Sequence, residues 1–257
     1  MMFLEERQAQ ILEMLNRDGK VLVKELAEIF GVTEDSIRKD LSSLELEGKL
    51  RRTYGGAVSI KEKLQMTEAN KRRISDVEAK RKIAAAALKL IQPQDLIFLD
   101  ISTISIAIAN FLEKTDINYK VLTNMVDVLV MLARNPRISL FFAGGLINQS
   151  RDGFSDGLNL DFISKFRPDI SFIGAFGVDI QKNSLTSRDT AGGIHKARMI
   201  DISKTSYIIA ESRKIGVEST YSFAALDKVD GIITEAKLSD NLTAVAEKLG
   251  VKIIFAE

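Results

Sequence analysis

Cysteine is absent from the 257 residues, and histidine occurs once, at His195. The first absence excludes disulfides, thiolate metal ligands and a cysteine nucleophile, and it suits a reducing cytoplasm. A lone histidine leaves a transition-metal centre without its usual donors, so neither metal nor cofactor is expected. An excess of one charge is missing too: 36 Lys and Arg stand against 35 Asp and Glu, a net charge of +1. That excludes a general basic coat, so any nucleic-acid surface must be local. The N-terminus, MMFLEERQAQ, carries Glu5 and Glu6 where a secretion signal needs a basic start and an apolar run. The longest apolar stretch, LIFLDISTISIAIANFL at 96–112, is broken by Asp100 and several hydroxyls. It reads as strand plus helix, not as a membrane span. A cytoplasmic protein with no membrane partner is expected. Neither internal repeats nor low-complexity segments are evident.

What is present divides in two. Residues 1–58 read as one unit. Leu4, Ile11, Leu12 and Leu15 fall at helical spacing before Asp18-Gly19. VKELAEIFG is a second helix, with Leu26, Ile29 and Phe30 inward and Gly31 as terminator. Thr33 suits the N-cap of a third, on which Ile37, Leu41 and Leu44 share a stripe. Gly48 ends it. KLRRTYGGAV follows as a hairpin whose turn, at Gly55-Gly56, tolerates positive φ. Helix, helix, turn, helix, hairpin is the order of a winged helix-turn-helix. Polar residues 59–76 read as a linker. From Val77 short apolar runs alternate with helical patterns, which predicts an α/β domain with a mainly parallel sheet over 77–257.

Placing Ile37, Leu41 and Leu44 inward sets Arg38, Lys39 and Ser42 on the flanks and outer face of the third helix. Arginine can bridge two acceptors on guanine, while lysine and hydroxyls can meet phosphates or bases. Thr33 and Ser36 sit at the helix start, where free N–H groups favour a phosphate. Arg51, Arg52, Tyr54 and Gly55 make the wing, where small glycines let backbone approach backbone. Residues 1–58 hold nine basic and eleven acidic side chains, which argues against indiscriminate DNA coating. Within 36–54 the balance reverses, to five basic against three acidic. A solvated charged face, or a protein-interaction module, accounts for the same charges.

The run LVKELAEIFGVTEDSIRKDLSSLELEGKLRRTYGGAV resembles the N-terminal signature of the DeoR family of bacterial transcriptional regulators, with Tyr54 where the family commonly has His. The resemblance implies Thr33, Ser36, Arg38 and Lys39 as contacts to double-stranded operator DNA. Asp40 is read as holding Arg51 or Arg52 in place. KRKIAAAALKLI, IFLD at 97–100, LTN at 122–124, FAGG at 142–145, FIGAFGVD at 172–179 and AESRKIG at 210–216 resemble the family's C-terminal half, similar in fold to sugar-phosphate isomerases and CoA transferases. That implies a repressor of sugar genes released by a phosphorylated-sugar effector, and a homo-oligomer on paired half-sites.

The expected effector site lies beyond the strand ends. Ser102 and Thr103 start a helix there, Gly144 and Gly145 allow close approach, and Lys196 and Lys214 could neutralise a phosphate. Asp100 or Asn124, beside Thr123, could take sugar hydroxyls. Two departures stand out. Asp100-Ile101-Ser102-Thr103-Ile104 lacks the family's glycine and last hydroxyl, and Gly192-Gly193 replaces an acidic residue and alanine ahead of Lys196. N-capping or turn roles account equally for Ser102, Thr103, Gly144 and Gly145. Two alternatives stay open: a C-terminal domain that serves assembly alone, and an isomerase- or transferase-like enzyme with a DNA-binding appendage.

Overall fold

The computed structural model describes residues 4–18, 20–59 and 72–257. The chain forms two compact units, Met1–Lys71 and Arg72–Glu257. Most of the expected linker lies outside the described residues, and residues 72–76 belong to the second unit.

The first unit contains α1 (Leu4–Asp18), β1 (Lys20–Leu22), α2 (Val23–Phe30), α3 (Glu34–Leu46), β2 (Leu50–Thr53) and β3 (Gly56–Ser59). Gly31 closes α2 in the left-handed conformation at φ 62°, its N–H bonded to the Ala27 carbonyl. Extended Thr33 then caps α3 by accepting from the Ser36 N–H at 3.3 Å. Ile37, Leu41 and Leu44 are buried against Ile11, Leu15, Leu26 and Leu50. Burial of this kind stabilises by about 1.5–3 kcal/mol per side chain. Ile29, expected inward, is 59% exposed; the inward positions of this two-turn helix are Val23 and Leu26.

Strand β1 was not anticipated, because three residues between two helices carry no readable alternation. It pairs antiparallel with β3, giving the sheet order β1-β3-β2. This explains the second glycine of the hairpin. Only Gly55 has positive φ, at +85°. A Cβ on Gly56 would lie 2.0 Å from the Val21 carbonyl oxygen, so close strand approach requires the glycine.

The second unit is α/β, as expected. Its helices are α4 (Val77–Leu88), α5 (Thr103–Leu112), α6 (Val126–Leu132), α7 (Gly157–Ile163), α8 (Thr190–Ile202) and α9 (Asp240–Lys248). Its main sheet holds β4 (Leu96–Leu99), β5 (Tyr119–Thr123), β6 (Ile138–Phe142), β7 (Ile170–Gly174), β10 (Thr205–Ile209), β12 (Gly231–Thr234) and β13 (Lys252–Phe255). All seven run parallel, in the order β13-β12-β10-β7-β4-β5-β6. The pleat sends alternate residues to two cores. Ile97, Leu99, Val121, Phe172, Ile209 and Ile233 face α4 and α5; Phe98, Leu122, Ile173, Ile208 and Ile232 face α8 and α9. Chain order reverses between β4 and β7, which makes a switch point where their carboxyl ends diverge. A separate antiparallel sheet, β11-β9-β8, is formed by β8 (Gly177–Asp179), β9 (Ser184–Ser187) and β11 (Tyr221–Ala224). Its strands, like α7, are too short and polar to stand out in the sequence. Among the described residues, no helix is long and apolar enough to cross a membrane.

Candidate nucleic-acid interface and effector site

In the first unit, α3 and the β2–β3 wing are tied together through their polar residues. Ser42 Oγ donates to the Arg38 carbonyl at 2.7 Å and accepts from Arg52 Nη1 at 2.5 Å. The Arg52 N–H reaches Glu45 Oε1 at 2.8 Å. Lys39, Arg51, Tyr54 and Gly55 are all exposed, with Tyr54 projecting fully from the hairpin tip. Thr33 Oγ1 and Ser36 Oγ share a hydrogen bond of 3.0 Å at the helix start. Arg38 folds back on its own helix, donating to Glu34 Oε2 at 2.6 Å and to Asp35 Oδ1 at 2.9 Å. Its guanidinium therefore has two carboxylate competitors for any base edge.

Asp40 does not hold the wing. It is 3% exposed, and Arg7 of α1 donates to its two oxygens at 2.6 and 3.2 Å. Asp40 faces inward beside Leu41, so it meets the helix packed beneath α3 and leaves the wing to Ser42 and Glu45. The bond to Asp40, which outweighs desolvation, holds the Arg7 guanidinium above its ordinary pKa.

In the second unit, the sheet's switch point gathers Asp100, Ser102, Gly174 and Lys196. Asp100, at the carboxyl end of β4, is 2% exposed. It accepts from the Gly174 N–H at 3.0 Å and from Lys196 of α8. Ser102 caps α5, accepting from the Ile104 N–H at 3.2 Å. A Cβ on Gly174 would fall 2.9 Å from Ser102 Cβ, so serine in place of the family's glycine is accommodated by glycine on the neighbouring strand. Lys214 reaches the Ala175 carbonyl at 3.1 Å and the Glu211 carboxylate at 3.2 Å. Burial pushes the Lys214 pKa below the usual lysine range, and Glu211 only partly offsets this.

The other expected effector residues take different positions. The Thr123 hydroxyl is fully buried, donating to the Leu99 carbonyl at 2.7 Å and accepting from the Met125 N–H at 3.1 Å. It cross-links β4 to the turn after β5, and its one proton is already donated. Asn124 donates to the Phe154 carbonyl at 2.8 Å, while its buried Oδ1 has no partner among the described residues. Thr103 lines a groove of about 450 Å³ with Arg73, Ile106, Asp127 and Met131. Gly144 has room for a side chain, whereas a Cβ on Gly145 would lie 2.3 Å from Asp156 Oδ2. Gly145 thus admits the carboxylate that caps α7 through the Asn159 N–H at 2.9 Å.

Gly192-Gly193 also has a local cause. Asp189 caps α8 by accepting from the Gly192 N–H at 2.6 Å. A Cβ on Gly193 would stand 2.3 Å from the Tyr221 ring, so β11 packs directly on the helix backbone. His195 is 1% exposed and bonds to Asn159 Oδ1, while Asn159 donates to the Ala143 and Gly144 carbonyls. Burial lowers the His195 pKa to about 4, so the imidazole is neutral at physiological pH. The sequence alone does not disclose this pair, since nothing in the spacing links Asn159 to His195.

Residues 7–63 match the model of a DeoR-like helix-turn-helix domain, and residues 75–236 that of the DeoR C terminal sensor domain. The HTH-type transcriptional regulator YulB of Bacillus subtilis (strain 168) is 32% identical over 98% of this chain and 96% of its own. The HTH-type transcriptional repressor GlcR of the same organism is 27% identical over 100% and 98%. The L-fucose operon activator of Haemophilus influenzae is 30% identical over 94% and 96%. Both matching domains are regulatory, so the isomerase- or transferase-like enzyme alternative falls away. Among solved structures, ribose 5-phosphate isomerase A from Methanocaldococcus jannaschii shares 14% identity at a TM-score of 0.41, covering 55% of each chain.

Proposed function

The chain belongs to the DeoR family of transcriptional regulators, and from that premise we propose that it reads an operator with α3 and the wing and is released by a phosphorylated-sugar effector at the sheet's switch point. The observation that carries this reading is the buried Asp100–Lys196 pair beneath the Gly174 N–H, with Lys214 bonded to the next carbonyl, that of Ala175. Two lysines flank a place where strand ends diverge, which suits an anion. Asp100 and Asn124 would take hydroxyls. In the DNA-binding unit, Arg38 would read a base edge, while Thr33, Ser36, Lys39, Arg51 and Arg52 would meet phosphates. Two copies would place two α3 helices on paired half-sites. Effector binding lowers operator affinity only if the two states bind the effector differently.

Thermal unfolding of the full chain against pentose and hexose phosphates tests the sensor half. A ligand at about 100 times its Kd adds roughly 2.7 kcal/mol, or on the order of 5–10 °C for a domain of this size. A shift with one compound supports the reading. Indifference to the whole panel, with DNA binding intact, would leave the second unit as an assembly module.

A further inference from the structure

The main sheet has two edges, and they differ. At one edge β13 carries the exposed Lys252, and Lys237 lies over the Phe255 ring at 5.9 Å. Charge placed on an edge strand discourages pairing with another chain. At the opposite edge β6 reads ISLFF, with neither charge nor proline. Its register with β5 runs unbroken from Ile138 to Phe142. Among the described residues, no backbone hydrogen bond from residues 139–142 runs to anything but β5. An edge strand of this kind presents a row of N–H and C=O groups open to a further strand.

Apolar surface gathers beside the same edge. Phe141 of β6 is 38% exposed, and Leu158 and Phe162 of α7 are 78% and 42% exposed. Leu158 and Phe162 stand four positions apart, on one face of the helix. Aromatic contacts join strand to helix, because the Phe166 ring meets Phe141 at 5.4 Å and Phe162 at 5.2 Å between centroids. Leu146, also exposed, is tied to the start of α7 by donating its N–H to Asp156. Single exposed apolar side chains need no explanation, but a contiguous set marks a contact surface.

The charges on this face select the partner. Asp161 of α7 and Lys165 just beyond its end are both exposed, and neither side chain is bonded to another described residue. They lie on either side of Phe162 in the chain. A twofold axis at the edge would run β6 antiparallel to its own copy, joining the two sheets, and would set α7 antiparallel to the copy's α7. Each Asp161 would then approach Lys165 of the partner subunit, while Phe141, Leu158 and Phe162 close over their counterparts. One operation thus satisfies the open backbone, the apolar face and both charges.

We propose that β6 and α7 form the interface between two copies of this chain. The inference rests on the proposed operator reading only in taking the assembly to be a pair, and it requires no effector.

The experiment measures the dimer Kd of the full chain by analytical ultracentrifugation over a concentration series, with melting temperature as the check on folding. Leu158→Glu is expected to raise the Kd about tenfold or more, and Phe255→Glu at the other edge to leave it unchanged. Asp161→Lys and Lys165→Asp each set like charges opposite one another and are expected to weaken the dimer about three- to tenfold. An equimolar mixture of these two variants restores both unlike pairs in a heterodimer, so its Kd should return to within about twofold of the unaltered protein. That rescue is the signature, because a variant weakened by misfolding is not repaired by mixing. An unchanged Kd in Leu158→Glu, or charge variants that stay weak when mixed, would overturn this interface and leave the two-copy reading standing. An unaltered chain that stays monomeric throughout would overturn both.

Discussion

At the scale of single residues, buried polar groups set the sharpest expectations. His195 is neutral in the folded state with a pKa of about 4, against about 6.5 when unfolded. Between those values the unfolded chain binds a proton that the folded chain does not. Stability from this residue is therefore complete above about pH 6.5 and falls as pH drops toward 4, by on the order of 3 kcal/mol. Chemical denaturation across that window should show the slope, and His195→Gln should flatten it. Asp40 gives a second test. Removing it leaves the guanidinium of Arg7, 13% exposed, facing a vacant buried position, so Asp40→Ala should cost about 1–3 kcal/mol. Because Asp40 meets α1 and not the wing, operator affinity measured well below the melting temperature should hardly change. Arg38 behaves in the opposite way: half-exposed and clamped by Glu34 and Asp35, it contributes little to stability. Arg38→Ala should leave the melting temperature within a degree or two yet weaken operator binding by about 1–3 kcal/mol.

At the scale of elements, glycines mark where one element lies hard against another. Gly193→Ala would drive a methyl into Tyr221 and should cost about 1–3 kcal/mol. Gly192→Ala, one residue earlier, meets only the capping carboxylate of Asp189 at 3.0 Å and should cost much less. Comparing the two melting temperatures separates a packing demand from a general penalty on helix glycine. Such contacts explain what the sequence could and could not disclose. The central strands of the main sheet were legible because LIFL, ISFIGA and GIIT are short, largely apolar runs, the pattern of strands buried on both faces. The α3 stripe was legible because Ile37, Leu41 and Leu44 repeat at helical spacing. β1, β8, β9 and β11 were not, since three or four residues of mixed polarity hold their place through partners distant in the chain. The Asp100–Lys196 pair spans 96 positions, and both residues were found only through a family pattern.

At the scale of the whole molecule, the charge balance makes a quantitative claim about assembly on DNA. The unit over 1–58 is net acidic, with eleven acidic side chains against nine basic, so contact with arbitrary DNA should be weak. In the proposed reading, specific binding then depends on three exposed cations of α3 and the wing, Lys39, Arg51 and Arg52 in each copy. Each neutralised phosphate releases condensed counterions, and log K falls with log salt at about −0.9 per contact. One copy on an operator fragment selected from random sequence should therefore give a slope of about −3, and two copies on paired half-sites about −5. Fluorescence anisotropy across a salt series reads this directly. Arg51→Ala should reduce the slope by about one unit in the first case and about two in the second. That doubling is the more secure readout: it counts how many copies of one wing touch the duplex, whatever other contacts contribute to the total. A slope near −3 that loses only one unit would mean a single winged helix holds the operator, and the paired half-site arrangement would have to be abandoned.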